Sequence, residues 1–418
     1  MLKQTLGVLL LWLFFSTVMA QELIPPPPGI VIDKSIDPQH VFFGSPSIAV
    51  LPNGNYLASH DYFGGGTGSD STAVFISNDR GASWEREAGL HGQYWSTLFI
   101  HNRQLYILGD SKEYGNIVIR RSGDGGRTWT IPLDENHGLL RKGHFHCGPV
   151  PVVIHDGRIW RAMEKVTGTD WPLNFHAMVI SATDSVDLLK AQNWETTNAL
   201  TFDTSWMNAA KPGWLEGNVA VAPDGSLKEV MRLNGTQGSL KSFKQTGYVK
   251  GIPRYETAAI LDISANGKTL SFDPTKGFIN FPGAESKFTI RYNSISKRYW
   301  AIVNKITNRQ TGTEWKYSPQ HQRNVLILTS SKDLRHWKEN YTIISYNEGA
   351  KLSMNDKTGF QYVDWQFDGN DLISVIRTAW GNANSYHNAN YLTFMRIHNF
   401  RKLKLRDSPP DLYKKSKK

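Results

Sequence analysis

Histidine, arginine and glutamate recur at the ends of short apolar runs in this chain, where side chains of separate runs can be gathered into one site. His40 and His60 bracket the first pair of runs, Gly143-His144-Phe145-His146 opens another, and Glu164-Lys165 follows it. Trp214-Leu-Glu216-Gly-Asn218 begins a further run, Met231-Arg232 ends its neighbour, and Arg377 and Trp380 close one near the C-terminus. Histidine moves protons near neutral pH, and a carboxyl serves as acid or base. Arginine grips carboxylate or sulfate with a fork of N–H donors, and Trp and Tyr offer flat apolar faces. Together these types describe a site for an anionic sugar. His40, His60, His146 and Glu164 are the catalytic candidates. Tyr62, His144, Trp214, Asn218, Arg232, Arg377 and Trp380 are the substrate-binding candidates.

Each group also has a purely structural reading. His40 and His60 suit a cross-strand pair. His144 and His146 alternate, so they are expected on one side, where either also suits a core. Glu164 is either an acid or the ion-pair partner of Lys165. Arg232 and Arg377 are either solvated strand ends or a converging anion grip. A single Cys147 beside His146 is no zinc framework, and neither a metal nor an organic cofactor is called for.

Composition narrows the partners. The net charge is +10 over 418 residues, part of it in a basic tail from 406 to 418. No nucleic-acid-binding signature accompanies that charge, so the expected partner is an acidic oligo- or polysaccharide. Lys3 precedes an apolar run from Leu6 to Phe15, and Val18-Met-Ala20 suits cleavage after Ala20. The expectation is a signal peptide over 1–20, a proline-rich linker over 21–28, and a periplasmic or secreted protein with no stable membrane anchor. One cysteine excludes an intrachain disulfide, so stability rests on the core.

The elements that must position these residues repeat. Ser77-Asn-Asp79-Arg-Gly81-Ala-Ser83-Trp84 returns as Ser122-Gly-Asp124-Gly-Gly126-Arg-Thr128-Trp129. Around each phrase lies a unit of strand, tight turn, strand, long loop, strand and turn, with Asn-Gly or Asp-Gly at many turns. Six such units can be counted, with room for a seventh around 199–213 or 340–358. Ile30 to Ile32 suit a strand that closes the ring from the far end of the chain. The predicted fold is all-β: one β-propeller domain over 29–405 with six or seven four-stranded blades. In a propeller the first strand's start and the second strand's end lie at one mouth of the axial channel, and the candidates above fall there.

The repeated phrase is the Asp-box pattern, and the chain resembles the sialidase-like β-propellers. Within them, His40-Val-Phe-Phe-Gly-Ser-Pro-Ser47, Ser59-His-Asp-Tyr-Phe-Gly64, Gly143–His146 and Trp214–Asn218 with Met231-Arg232 resemble the family 145 α-L-rhamnosidases and related rhamnose–glucuronate and ulvan lyases. The resemblance implies seven blades and a catalytic histidine at the start of the first blade, here His40. It also implies removal of terminal rhamnose from glucuronic acid in acidic plant glycans such as arabinogalactan. The alternatives are β-elimination at rhamnose–uronate linkages and glycan binding without turnover. A true exo-sialidase is disfavoured. Phe43-Gly-Ser-Pro-Ser-Ile-Ala49 lacks that family's first arginine, and its arginine triad and tyrosine nucleophile do not map onto the sequence.

Overall fold

The computed structural model describes residues 25–207, 209, 211–235, 248–307, 318–347 and 357–412. The predicted signal peptide, the first linker residues and the end of the basic tail lie outside them. The fold is a β-propeller of six blades. The first comprises Phe42–Val50, Tyr56–Phe63, Ser71–Ser77 and Glu85–His91, and the second Tyr94–His101, Gln104–Asp110, Ile117–Ser122 and Leu139–Arg141. The third has a broken inner strand, Phe145–His146 and Val153–His155, then Arg158–Val166, Phe175–Thr183 and Trp194–Thr196. The fourth runs through Trp214–Val221, Leu227–Leu233 and Thr257–Ile263 to the outer pieces Leu270–Ser271 and Phe278–Asn280. Thr289–Asn293, Arg298–Asn304, Val325–Ser331 and Trp337–Ser345 make the fifth. Gly359–Asp368, Asp371–Ala379 and Tyr391–Ile397 make the sixth, and its outer strand is Ile30–Lys34 from the other end of the chain. That strand closes the ring as expected. Among the described residues the count is six, not the seven the family resemblance implies. Among the described residues, 199–207 and 340–347 add no further sheet.

Strand alternation explains the packing. Inner and middle strands are buried on both faces, and their apolar residues meet those of the next blade. Trp160 of the third blade, for example, joins Trp214, Val219 and Leu261 of the fourth. The two repeated phrases form turns with matching bonds. The Ser83 and Thr128 amides each donate to the aspartate four residues earlier at 2.9 Å, and the Gly81 and Gly126 amides donate to Ser77 and Ser122 Oγ. The Ser83 and Thr128 hydroxyls also donate to these aspartates, and with the amides they hold Asp79 and Asp124 down to about 2. Among the described residues no helix is long and apolar enough to cross a membrane.

A ring of polar bonds ties the inner strands together. The Leu98 amide donates to Ser47 Oγ at 3.0 Å, linking blades one and two, and Thr97 Oγ1 donates to the Val150 carbonyl at 2.9 Å, linking two and three. The Gly217 amide reaches Glu164 at 3.4 Å between three and four. Asn218 accepts from the Ile290 amide and donates to the Phe288 carbonyl between four and five. Thr289 Oγ1 donates to the Val363 carbonyl between five and six. Asp364 completes the circuit, accepting from Ser47 Oγ and the Ile48 amide of blade one, each at 2.9 Å. All these side chains are buried, where an unmade bond is expensive.

Candidate active site

Just before four of these anchors the inner strand bulges. Ser45, Trp95, Glu216 and Tyr362 have φ of 42°, 46°, 50° and 55°, a left-handed backbone that is unfavourable for residues with a side chain. Each sits two residues before its anchor (Ser47, Thr97, Asn218, Asp364), at a register shift between inner and second strand. A bulge re-aims the side chain it carries, and here it turns all four residues toward one mouth of the channel. Gly217 is what lets the fourth blade bulge so tightly. A Cβ there would lie 2.2 Å from Glu229 Oε1.

The resulting cavity holds about 490 Å³ and is bordered by all four bulge residues. Blades four to six provide its cationic side. Arg232, Arg323 and Arg377 are each about 5 % exposed. Arg232 is ion-paired with Glu216 at 2.7 Å. Arg377 lies 4.6 Å from the Phe63 ring and 5.0 Å from that of Tyr362, and donates to the His387 carbonyl. Arg323 donates to the Gln320 carbonyl and Gln361 Oε1. Among the described residues neither Arg323 nor Arg377 has a carboxylate partner, and burial presses Arg377 down to about 10. His387, packed against the Phe63 ring, is pushed down to about 3 by burial and by Arg377, so it stays neutral.

Tyr362 is the residue these groups surround. Burial and the Glu216 carboxylate raise its hydroxyl, while Arg232, Arg323 and Arg377 all pull it down, and the net shift is upward. Burial opposes the Glu216 charge, but Arg232, His146 and the Tyr362 hydroxyl outweigh it and hold the carboxyl below its usual range. The pair is therefore a neutral phenol beside an ionised carboxylate.

Blades two and three provide the other side. His146 Nδ1 lies 2.7 Å from Glu164 Oε2, with the ring between Trp95 and Phe175 at 4.5 and 4.8 Å. That bond leaves Nε2 for the cavity. Glu113 and Tyr114 approach from the loop between the second and third strands of blade two. Behind them Asp61 binds Thr72 Oγ1 and the Trp95 amide, each at 2.6 Å, and burial raises its carboxyl to about 7. The Cys147 thiol is buried and raised well above its ordinary value.

Of the sequence candidates, His146, Arg232 and Arg377 border the cavity, with Glu164 directly behind. The others stand elsewhere. His40 projects into solvent, its side chain 69 % exposed, bonded to Asp37 at 3.0 Å. His60 is fully buried within blade one, 2.9 Å from Asp33 of the closing strand, and Tyr62 touches the same carboxylate at 3.5 Å. His144 is exposed at the rim, bonded to the Tyr114 carbonyl. It does not share the buried side of His146, because only Phe145–His146 is strand. Trp214 is core, wedged against Phe202 and Phe272. Asn218 is one of the inter-blade anchors. Trp380 packs on Tyr346 and donates to the Pro25 carbonyl. Sequence reasoning missed Tyr362, Arg323 and Glu113 as site residues. The signal for Tyr362 was its place two residues before Asp364, matching Glu216 before Asn218.

Among the described residues no group of three His, Cys, Asp or Glu is placed to hold a metal ion.

No family model matches the chain, and no curated protein matches it. Solved structures do. A protein of unknown function from Dyadobacter fermentans is 13 % identical with a TM-score of 0.52, covering 89 % of this chain and 99 % of its own. An α-L-arabinofuranosidase from Fusarium graminearum, a mutant in complex with an iminosugar inhibitor, is 12 % identical with a TM-score of 0.52, covering 90 % of this chain and 98 % of its own. A second structure of that enzyme has a TM-score of 0.50 at 12 % identity, covering 89 % and 98 %. At these identities the likeness is one of fold: the chain is built like these β-propellers.

Proposed function

We propose that this protein is an exported glycoside hydrolase acting on glycans that carry a sugar carboxylate. One observation carries the reading: Arg377 borders the cavity, Arg323 lies buried near it and the Glu216–Arg232 pair, and neither has a carboxylate partner among the described residues. A buried cation without a counter-ion is unfavourable by several kcal/mol unless a ligand supplies the charge. A planar carboxylate matches the guanidinium fork. The fold is compatible, since the arabinofuranosidase it resembles is a glycosidase on the same scaffold.

The chemistry follows from the centre of the cavity. Tyr362 Oη bonds to the anomeric carbon as the glycosidic carbon–oxygen bond breaks, its proton passing to Glu216, whose ionised state suits it as base, while the leaving oxygen takes a proton from an acid on the opposite wall. A tyrosine nucleophile is known among glycosidases that depart from the usual carboxylate pair. Water then releases the sugar, and Glu216 returns the proton. His146, oriented by Glu164, faces the other side of the bond. The narrower reading, an exo-α-L-rhamnosidase on rhamnose–glucuronate ends, puts the carboxylate on the sugar next to the one released. A polysaccharide lyase on the same linkage would use the arginines to neutralise the uronate and Tyr362 or His146 to take its C5 proton.

Product analysis tests all three. The protein is incubated with glycans ending in a carboxylated sugar and with rhamnose–glucuronate oligosaccharides. Release of a carboxylated monosaccharide supports the main reading, and free rhamnose the narrower one. Ultraviolet absorbance of an unsaturated uronate would replace hydrolysis with elimination. Saturable binding without any product would make the propeller a glycan-binding module.

A further inference from the structure

The cavity is chemically two-sided. Arg232, Arg323, Arg377 and the Tyr362–Glu216 pair come from blades four, five and six. The facing wall comes from blades two and three, and there one carboxyl stands apart. Glu113 borders the cavity from the loop between Gln104–Asp110 and Ile117–Ser122, and its amide donates to the Ser69 carbonyl at 2.8 Å, which fixes the loop against blade one. Of the other acids nearby, Glu216 is committed to Arg232, Glu164 to His146, and Asp61 to Thr72 and the Trp95 amide, while Asp110 is buried without a partner among the described residues and does not border the cavity. The Glu113 carboxyl has no hydrogen-bond or ion partner among the described residues. The titratable group that acts on it is the His146 imidazole.

We propose that Glu113 is the general acid and base of this site, set across the cavity from Tyr362. The assignment rests on the hydrolase reading above. Protonated Glu113 gives its proton to the glycosidic oxygen as Tyr362 Oη bonds to the anomeric carbon and the carbon–oxygen bond breaks. The phenolic proton goes to Glu216. In the second half, the Glu113 carboxylate takes a proton from water as that water displaces the tyrosine, and Glu216 restores the phenol. One water is consumed and every group returns to its starting state. Glu113 is exposed at the cavity rim, and the part of its carboxyl turned away from water raises it above its ordinary value, which favours the protonated form the first half needs. His146 tempers that rise, and its bond to Glu164 holds the ring where it can do so.

The test is Glu113→Gln in the full chain, assayed on two glycosides of the same carboxylated sugar. One has a sugar or alkyl leaving group that requires protonation, and the other a nitrophenyl leaving group that does not. The expected result is a loss of about 10²–10⁴-fold on the first, only a few-fold change in the bond-breaking step on the second, and disappearance of the alkaline limb of the pH profile. Equal losses on both, or none on either, overturns the assignment. So does a leaving-group-dependent loss in His146→Gln that Glu113→Gln does not show. An unchanged thermal midpoint for Glu113→Gln excludes misfolding. If the wild-type protein cleaves neither compound, the hydrolase reading itself fails, and that is seen before any variant is made.

Discussion

The Glu216 carboxylate lies 2.7 Å from the Arg232 guanidinium, both buried, so this arginine is already neutralised before any ligand arrives. Arg377, equally buried and one blade-pair away, is not. The two should therefore answer mutation in opposite ways.

Arg377→Met removes a buried cation that has no counter-ion. The folded protein should be as stable as the wild type or more so, while kcat/KM on a carboxylated glycoside falls by about 10²-fold, mainly through KM. Turnover of the same glycoside with its carboxyl reduced to an alcohol should fall much less. Thermal melting and paired kinetics read both outcomes. A large loss of stability in Arg377→Met would show that the arginine is structural.

Glu216→Gln leaves Arg232 buried and unpaired, so a loss of stability of about 3–5 kcal/mol is expected, together with loss of turnover. Tyr362→Phe separates the two effects. It deletes one hydroxyl, should change the urea midpoint little, and should abolish turnover on substrates with good and poor leaving groups alike. Mass spectrometry of wild type trapped with a slow fluorinated glycoside should find the label on the Tyr362 peptide.

Asp61 sets a pH dependence of stability. Its folded carboxyl titrates at about 7 against 3.8 in the unfolded chain, because burial penalises the charge. Between those values the folded state binds the extra proton, so stability falls as pH rises from about 4 to 7, by on the order of 4 kcal/mol for this group. Asp110 and Glu229, buried with no partner for either carboxyl oxygen and also raised by burial, act in the same direction. Urea midpoints measured across that range should decline with pH in the wild type and decline less steeply in Asp61→Asn.

Asp364 closes the ring of inner strands. Besides Ser47 and Ile48 it holds Arg291 at 2.9 Å, so its loss strands several buried donors at once. Asp364→Ala should lower stability by about 3–5 kcal/mol, read in the urea midpoint. A change below about 1 kcal/mol would mean that the circuit tolerates a gap.

The blades were legible because alternation and Asn-Gly or Asp-Gly turns are local signals, and the closing strand at Ile30–Lys34 could be placed for the same reason. The site was legible only where it coincides with a strand end, as at Arg232 and Arg377. Tyr362 was hidden because a bulge breaks the two-residue period. Counting from Val363 starts the strand after the residue that matters. Arg323 was hidden because it precedes its strand in an irregular stretch, and Glu113 because a loop residue has no period at all. His40 and His60 look equivalent in sequence, yet one faces solvent and the other is sealed beside Asp33. That difference depends on a strand some thirty residues upstream of His60.

The four left-handed bulges carry one more implication, for how this protein can change. A glycine at position 45 would relieve a backbone that now costs about 1–2 kcal/mol, and the same holds at 95 and 362, whereas at 216 the relief is outweighed by leaving Arg232 buried and unpaired. Selection for heat resistance alone would have a backbone gain to find at 45, 95 and 362. At 362 that gain would erase the phenol, so a thermostable descendant relaxed there would be a sound ring with an empty mouth.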